Sequence, residues 1–86
     1  MEIDVFDLVT GPVTASQSNP NLVTYSAASS FGVVDLSRGK EVMYFPLDYQ
    51  PWKVKHYTIA DQDHFLVGSS ANVKLYRVVG GQLHEV

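Results

Sequence analysis

Three segments of this 86-residue chain are built alike. Ile3–Gly11, Phe31–Gly39 and Val73–Gly81 each run through β-branched, aromatic and aliphatic residues and close on a glycine. A recurring strand-plus-turn unit restricts the fold strongly, because one unit cannot bury its own apolar side and must stack on a neighbour. Stacked repeats of this kind build extended binding surfaces.

No stretch keeps a helical period. Val, Ile, Thr, Tyr and Phe fill short runs broken by Gly, Pro, Asn and Asp, which predicts strands near 3–8, 12–16, 22–28, 31–36, 41–46, 53–60, 65–69 and 73–78, with a last one at 82–86. Thr10-Gly11-Pro12, Asn19-Pro20-Asn21 and Asp61-Gln62-Asp63-His64 read as turns, and Ser37–Lys40 and Val79–Gln82 as hairpin loops with glycine available for positive φ. Ser26–Ser30 reads as a small-residue turn between strands. The expected fold is all-β and antiparallel, over residues 1–86 as a single domain or a propeller fragment.

The repeat has arithmetic. At a spacing of 42, Val23 meets Phe65, Tyr25 meets Val67, Phe31 meets Val73, Val33 meets Leu75, Leu36 meets Val78 and Gly39 meets Gly81. At a spacing of 28, Val5, Asp7, Leu8 and Gly11 match Val33, Asp35, Leu36 and Gly39. A period of about 40–45 residues is that of a four-stranded propeller blade. On these residues the chain resembles a degenerate WD-repeat β-propeller of about two blades. Phe6-Asp7-Leu8-Val9-Thr10-Gly11 fits the repeat's motif with Phe in the Trp position, and Tyr76-Arg77-Val78 fits with Tyr for Trp and Arg for Asp. Val54–Ile59, the Asp61–His64 turn and Phe65–Ser70 follow the order of that family's first two strands. The alternative architecture is a small, self-contained β-sandwich or barrel.

Composition removes several function classes. The net charge is −3 and Lys and Arg do not cluster, Lys53-Val54-Lys55-His56 being the densest basic group and reading as exposed strand positions. A nucleic-acid or anionic-membrane partner is not expected. There is no cysteine, so disulfides, thiolate zinc sites and thiol catalysis are excluded, and a cytoplasmic location is expected. The acidic Met1-Glu2-Ile3-Asp4 does not read as a signal peptide.

His56, Asp61, Asp63 and His64 fall within nine residues, but a polar turn accounts for the aspartates and no metal or cofactor is expected. Ser, His and Asp are all present, yet no Gly-x-Ser-x-Gly elbow or phosphate-binding glycine loop occurs, so an enzyme is not expected. Tyr44-Phe45-Pro46-Leu47-Asp48-Tyr49-Gln50-Pro51-Trp52 places aromatics and prolines on an edge or loop, where they suit binding. Tyr44, Tyr49 and Trp52 are the candidate binding residues, with Tyr49 expected to be exposed. Phe45 and Trp52 equally suit plugging the core beneath a crossing loop.

The expected function is a non-enzymatic module that binds a protein partner or self-associates through sheet edges, as a homo-oligomer. Val33-Val34 and Leu66-Val67 are the candidate edges. The alternative is a lectin-like carbohydrate-binding module of oligomerised two-blade units, with Trp52, Tyr49, Arg38 and Glu41 as available contacts.

Overall fold

The structure is a computed structural model that describes residues 1–86. Eight strands follow one another: β1 (Val9–Ala15), β2 (Leu22–Ala27), β3 (Ser30–Asp35), β4 (Lys40–Pro46), β5 (Lys53–Ile59), β6 (Gln62–Gly68), β7 (Val73–Val79) and β8 (Gln82–Glu85). They form two four-stranded antiparallel sheets in chain order, β1-β2-β3-β4 and β5-β6-β7-β8. The chain is all-β, as its sequence predicts.

Three local expectations need correction. Ile3–Leu8 forms no strand. It lies as a strap against sheet 1, with Ile3 and Val5 packed on a small cluster of Tyr25, Ala27 and Val34. Side chains rather than a ladder take up its amides: Phe6 N–H donates to Glu41 Oε1 at 2.8 Å and Leu8 N–H to Asp7 Oδ1 at 2.9 Å. Thr10-Gly11-Pro12 is not a turn but lies within β1, where a bulge between Val9 and Val13 absorbs it. Proline is tolerated there because β1 is an edge strand and a bulge needs no ladder amide. The β5–β6 turn is Ala60-Asp61, not 61–64, with φ of 52° and 63°. Ile59 pairs with Gln62, so the loop has two residues of the type I′ class.

The spacing of 42 relates the central hairpins of the two sheets. Leu22↔Asp35, Val23↔Val34, Thr24↔Val33, Tyr25↔Gly32 and Ser26↔Phe31 pair β2 with β3. Adding 42 to each gives His64↔Arg77, Phe65↔Tyr76, Leu66↔Leu75, Val67↔Lys74 and Gly68↔Val73, the pairing of β6 with β7. Because side chains alternate across a strand, this shared register also makes the faces of the two sheets correspond.

The sheets stack with unlike faces together. The core contains Phe31, Val33 and Phe45 from sheet 1 and Val54, Phe65, Val67 and Tyr76 from sheet 2. Phe65, Val67 and Tyr76 correspond to Val23, Tyr25 and Val34, which lie on the opposite, outer face of sheet 1 and line a cleft there. Phe31 and Val33 correspond to Val73 and Leu75, on the outer face of sheet 2. Phe31, Phe45 and Phe65 close the centre, with ring centroids 5.0 to 5.5 Å apart. Tilted pairs of this kind add about 0.5–1.5 kcal/mol each beyond their buried area.

The junction between the sheets also satisfies the free edge of β5. Thr24 Oγ1 donates to the Val54 carbonyl at 3.0 Å, Gln17 N–H to the His56 carbonyl at 3.0 Å, and Thr58 N–H to Ser18 Oγ at 2.7 Å. The β1–β2 loop thus covers an edge that would otherwise offer unpaired groups to another chain.

Candidate functional site

The proline-aromatic stretch crosses from β4 to β5 and divides its aromatics three ways. Phe45 is the core plug, 5% exposed. Trp52 is not, being 58% exposed. Pro51 is buried and fixes the chain where it enters β5.

Tyr49 and Trp52 share one groove of about 350 Å³, together with Asp48, Gln50, Asn72 and Lys74. Tyr49 is half-buried, not exposed, because its hydroxyl meets that of Tyr76 at 2.8 Å and Lys74 Nζ lies 5.2 Å from its ring centroid. Burial and the Tyr76 hydrogen bond push the Tyr49 phenol above the ordinary tyrosine range. The groove therefore has one fixed aromatic wall, one exposed indole and a rim of amide, carboxylate and ammonium groups.

Tyr44 is not part of this groove. It sits on the outer face of sheet 1, tilted against Phe6 with centroids 4.6 Å apart. Its hydroxyl donates to Asp7 Oδ2 at 3.1 Å, and Ser30 Oγ donates to the same oxygen at 2.7 Å. These bonds, that from Ser30 foremost, hold the Asp7 carboxyl below the usual range. Glu41 and Arg38 are also remote from Trp52. Glu41 accepts from Tyr25 Oη and from the Phe6 amide, while Arg38 lies in the β3–β4 turn.

The outer faces carry further features. On sheet 1, a cleft is lined only by apolar or aromatic residues, Val9, Val13, Val23, Tyr25, Val34 and Leu36 with Ile3 and Val5 of the strap. On sheet 2, the cross-strand pairs Lys53↔Gly68, Lys55↔Leu66, Tyr57↔His64, Leu66↔Leu75, His64↔Arg77 and Arg77↔His84 place these residues on one face. No Asp or Glu stands at any strand position of that face. Exposed large apolar side chains gather on the same two surfaces: Phe6, Leu8, Val9, Val13 and Leu36 at the first, Ile59, Val73 and Val79 at the second. Contiguous apolar exposure marks interaction surfaces, and at sheet 1 the exposed Val9, Val13 and Leu36 line one cleft.

Lys53 and Lys55 point outward as expected, but His56, read as an exposed neighbour, is fully buried. Alternation along β5 turns it to the inner face. Its Nδ1 lies 2.5 Å from Ser16 Oγ and its Nε2 2.7 Å from Asp63 Oδ1. Nε2–H donating to Asp63 leaves Nδ1 to accept the Ser16 hydroxyl. The Ser16 end of this Ser-His-Asp line is sealed: Ser16 is buried, and its Oγ already accepts the Ser18 and Asn19 amides at 3.2 and 3.3 Å. Asp61 stands in the turn and His64 on the opposite face, so the four polar residues diverge, and no group of three metal-ligating side chains forms. No local signal could have paired Ser16 with His56, since 40 residues separate them.

Val33-Val34 and Leu66-Val67, expected as sheet edges, lie in the interior strands β3 and β6, paired on both sides. No helix is long and apolar enough to cross a membrane. Comparison with family models, curated proteins and solved structures finds no match to this chain.

Proposed function

We propose that the chain is a non-enzymatic β interaction module, of propeller-blade type, that works through its outer sheet faces. One observation carries this: the apolar cleft on the outer face of sheet 1, part-covered by the strap and still exposed at Val9, Val13 and Leu36, lies on the face that corresponds to the one sheet 2 buries in the core. Val23, Tyr25 and Val34 stand where Phe65, Val67 and Tyr76 stand in the second repeat. A surface built to the pattern of a buried face is built to be covered. The buried Ser16–His56 contact favours a structural over a hydrolytic role, and the absence of cysteine suits a cytoplasmic setting.

Carbene footprinting over a concentration series tests the assignment. Val13 and Leu36 should lose labelling as the protein associates with itself or with an added partner. Unchanged labelling with a monodisperse monomer at every concentration would remove self-assembly from the proposal.

The Trp52 groove supports a second reading, carbohydrate binding, because an exposed indole beside Gln50, Asn72 and Asp48 can stack on a sugar and bond its hydroxyls. A glycan array with wild type and Trp52→Ala decides it: binding lost in the variant supports the reading, and no binding by the wild type removes it.

A further inference from the structure

We infer that the occupant of the sheet 1 outer face is a second copy of this chain, docked by the outer face of its sheet 2, so that copies add head to tail. This rests on the proposal that the sheet 1 face is an interaction surface, and it names the partner.

Two independent observations lead to it. The first is continuity with the interface inside the chain. Within one chain, the sheet 2 face bearing Phe65, Val67 and Tyr76 packs on the sheet 1 face bearing Phe31 and Val33. Shifted by 42 residues, the first face becomes Val23, Tyr25 and Val34, and the second becomes Val73 and Leu75. The strap's Ile3 and Val5 already cover Tyr25 and Val34, and the sheet 1 face stays exposed at Val9, Val13 and Leu36; that exposed part and the sheet 2 face are the two halves of the same kind of joint. Had the sheets stacked by a two-fold axis, like faces would meet and the open faces would be copies of one another. Here they are complements, which is the condition for a heterologous, head-to-tail contact.

The second is charge. The sheet 2 outer face carries Lys53, Lys55 and Arg77, with His64 and His84, and no carboxylate at its strand positions. At the sheet 1 outer face lie Glu41, and Asp7 on the strap, with Glu2 and Asp4 exposed beside the packed Ile3 and Val5. Like faces would bring cations to cations or carboxylates to carboxylates. Unlike faces bring opposite charges around an apolar centre, which favours the head-to-tail register and disfavours the symmetric dimer.

Each added copy buries one face of each kind and leaves one of each at the ends. Assembly therefore continues past two copies until a ring closes, or continues as a filament if it does not.

A mixing experiment with full-length variants tests this. Val13→Lys places a cation on the sheet 1 face, opposite the cations of the incoming sheet 2. Val73→Glu places a carboxylate on the sheet 2 face, opposite the acidic strap. Both positions are exposed, at 62% and 65%, and circular dichroism verifies that each variant folds. The wild type is expected to sediment as species larger than a dimer. Each variant alone should need at least about tenfold more protein to associate, since like charges brought together cost several kcal/mol. An equal mixture should associate at lower concentration than either variant alone, because the Val73→Glu chain keeps its sheet 1 face, the Val13→Lys chain keeps its sheet 2 face, and the two altered faces carry opposite charges. Association blocked by Val13→Lys but untouched by Val73→Glu overturns the head-to-tail joint and leaves the sheet 1 face as an interaction surface of another kind. A wild type that remains monomeric removes self-association itself, and footprinting of Val13 with an added partner then bears on the broader proposal alone.

Discussion

Ser16 Oγ lies 2.5 Å from His56 Nδ1, across the junction of two sheets and 40 residues apart in sequence. The same oxygen receives two amides of its own loop, and the other ring nitrogen reaches Asp63. The contact pins the β1–β2 loop of sheet 1 onto the edge strand of sheet 2.

Ser16→Ala should therefore cost about 1–3 kcal/mol, the range for stranding buried polar groups, because the imidazole and two amides lose their partner together. Asp63→Ala should cost less, since Asp63 is 38% exposed and water can replace it at the rim. Urea denaturation of the two variants checks the order. Equal, small effects would mean that the clamp carries no stability, and ester hydrolysis that disappears in Ser16→Ala would turn the network into a catalytic one.

Gly32 is required by a close approach rather than by its backbone angles. A Cβ there would lie 2.5 Å from Tyr25 Cε1 and closer still to the Glu41 carboxylate. Gly32→Ala should displace the Tyr25–Glu41 pair, loosen the Phe6 amide that shares Glu41, and cost about 1–3 kcal/mol as an overpacked site. Thermal unfolding gives the cost. Stronger labelling of Val13 in the footprint would report the loosened strap.

The fold was legible to the extent that it is local. β-branched runs between turn residues placed all eight strands, and the match of Val23–Gly39 to Phe65–Gly81 relates the central hairpins of the two sheets. Ile3–Leu8 misled because its alternation is real but serves a strap: Ile3 and Val5 face the sheet, and side-chain acceptors replace a ladder. Tyr44, Tyr49 and Trp52 lie close in sequence, yet β4 holds the first on the outer face while the crossing carries the others to the groove. Which faces stay open depends on how the sheets stack, a long-range relation that no short motif encodes.

The two-residue turn Ala60-Asp61 is built against its residues. Both have positive φ, as do Gly80 and Gly81 in the equally short β7–β8 turn, where glycine meets the requirement without strain. A residue with a Cβ pays about 1–2 kcal/mol in that region. Replacing the pair by Asn-Gly (Ala60→Asn with Asp61→Gly) should recover about 1 kcal/mol, for which a domain of this size gains about 4–8 °C in Tm. A calorimetric scan checks the gain, and an unchanged or lower Tm would mean that the β5–β6 turn is not of this type.

Tyr25 and Tyr49 make stability fall at alkaline pH. Burial raises both phenols above the ordinary range, and the second cause is a hydrogen bond, to Glu41 for Tyr25 and to Tyr76 for Tyr49. The unfolded chain ionises them near pH ~10. A folded-state pKa above the unfolded one means that the folded form binds its protons more tightly. Their contribution is complete below about pH 10 and is lost as pH rises toward the folded values. Tyrosinate absorbance followed with circular dichroism should show these two phenols ionising together with unfolding, above the range of free tyrosine. Tyr25→Phe and Tyr49→Phe should each flatten the alkaline loss of stability. If all five tyrosines ionise near pH ~10 in a chain that keeps its β spectrum, the Glu41 and Tyr76 contacts do not hold these protons.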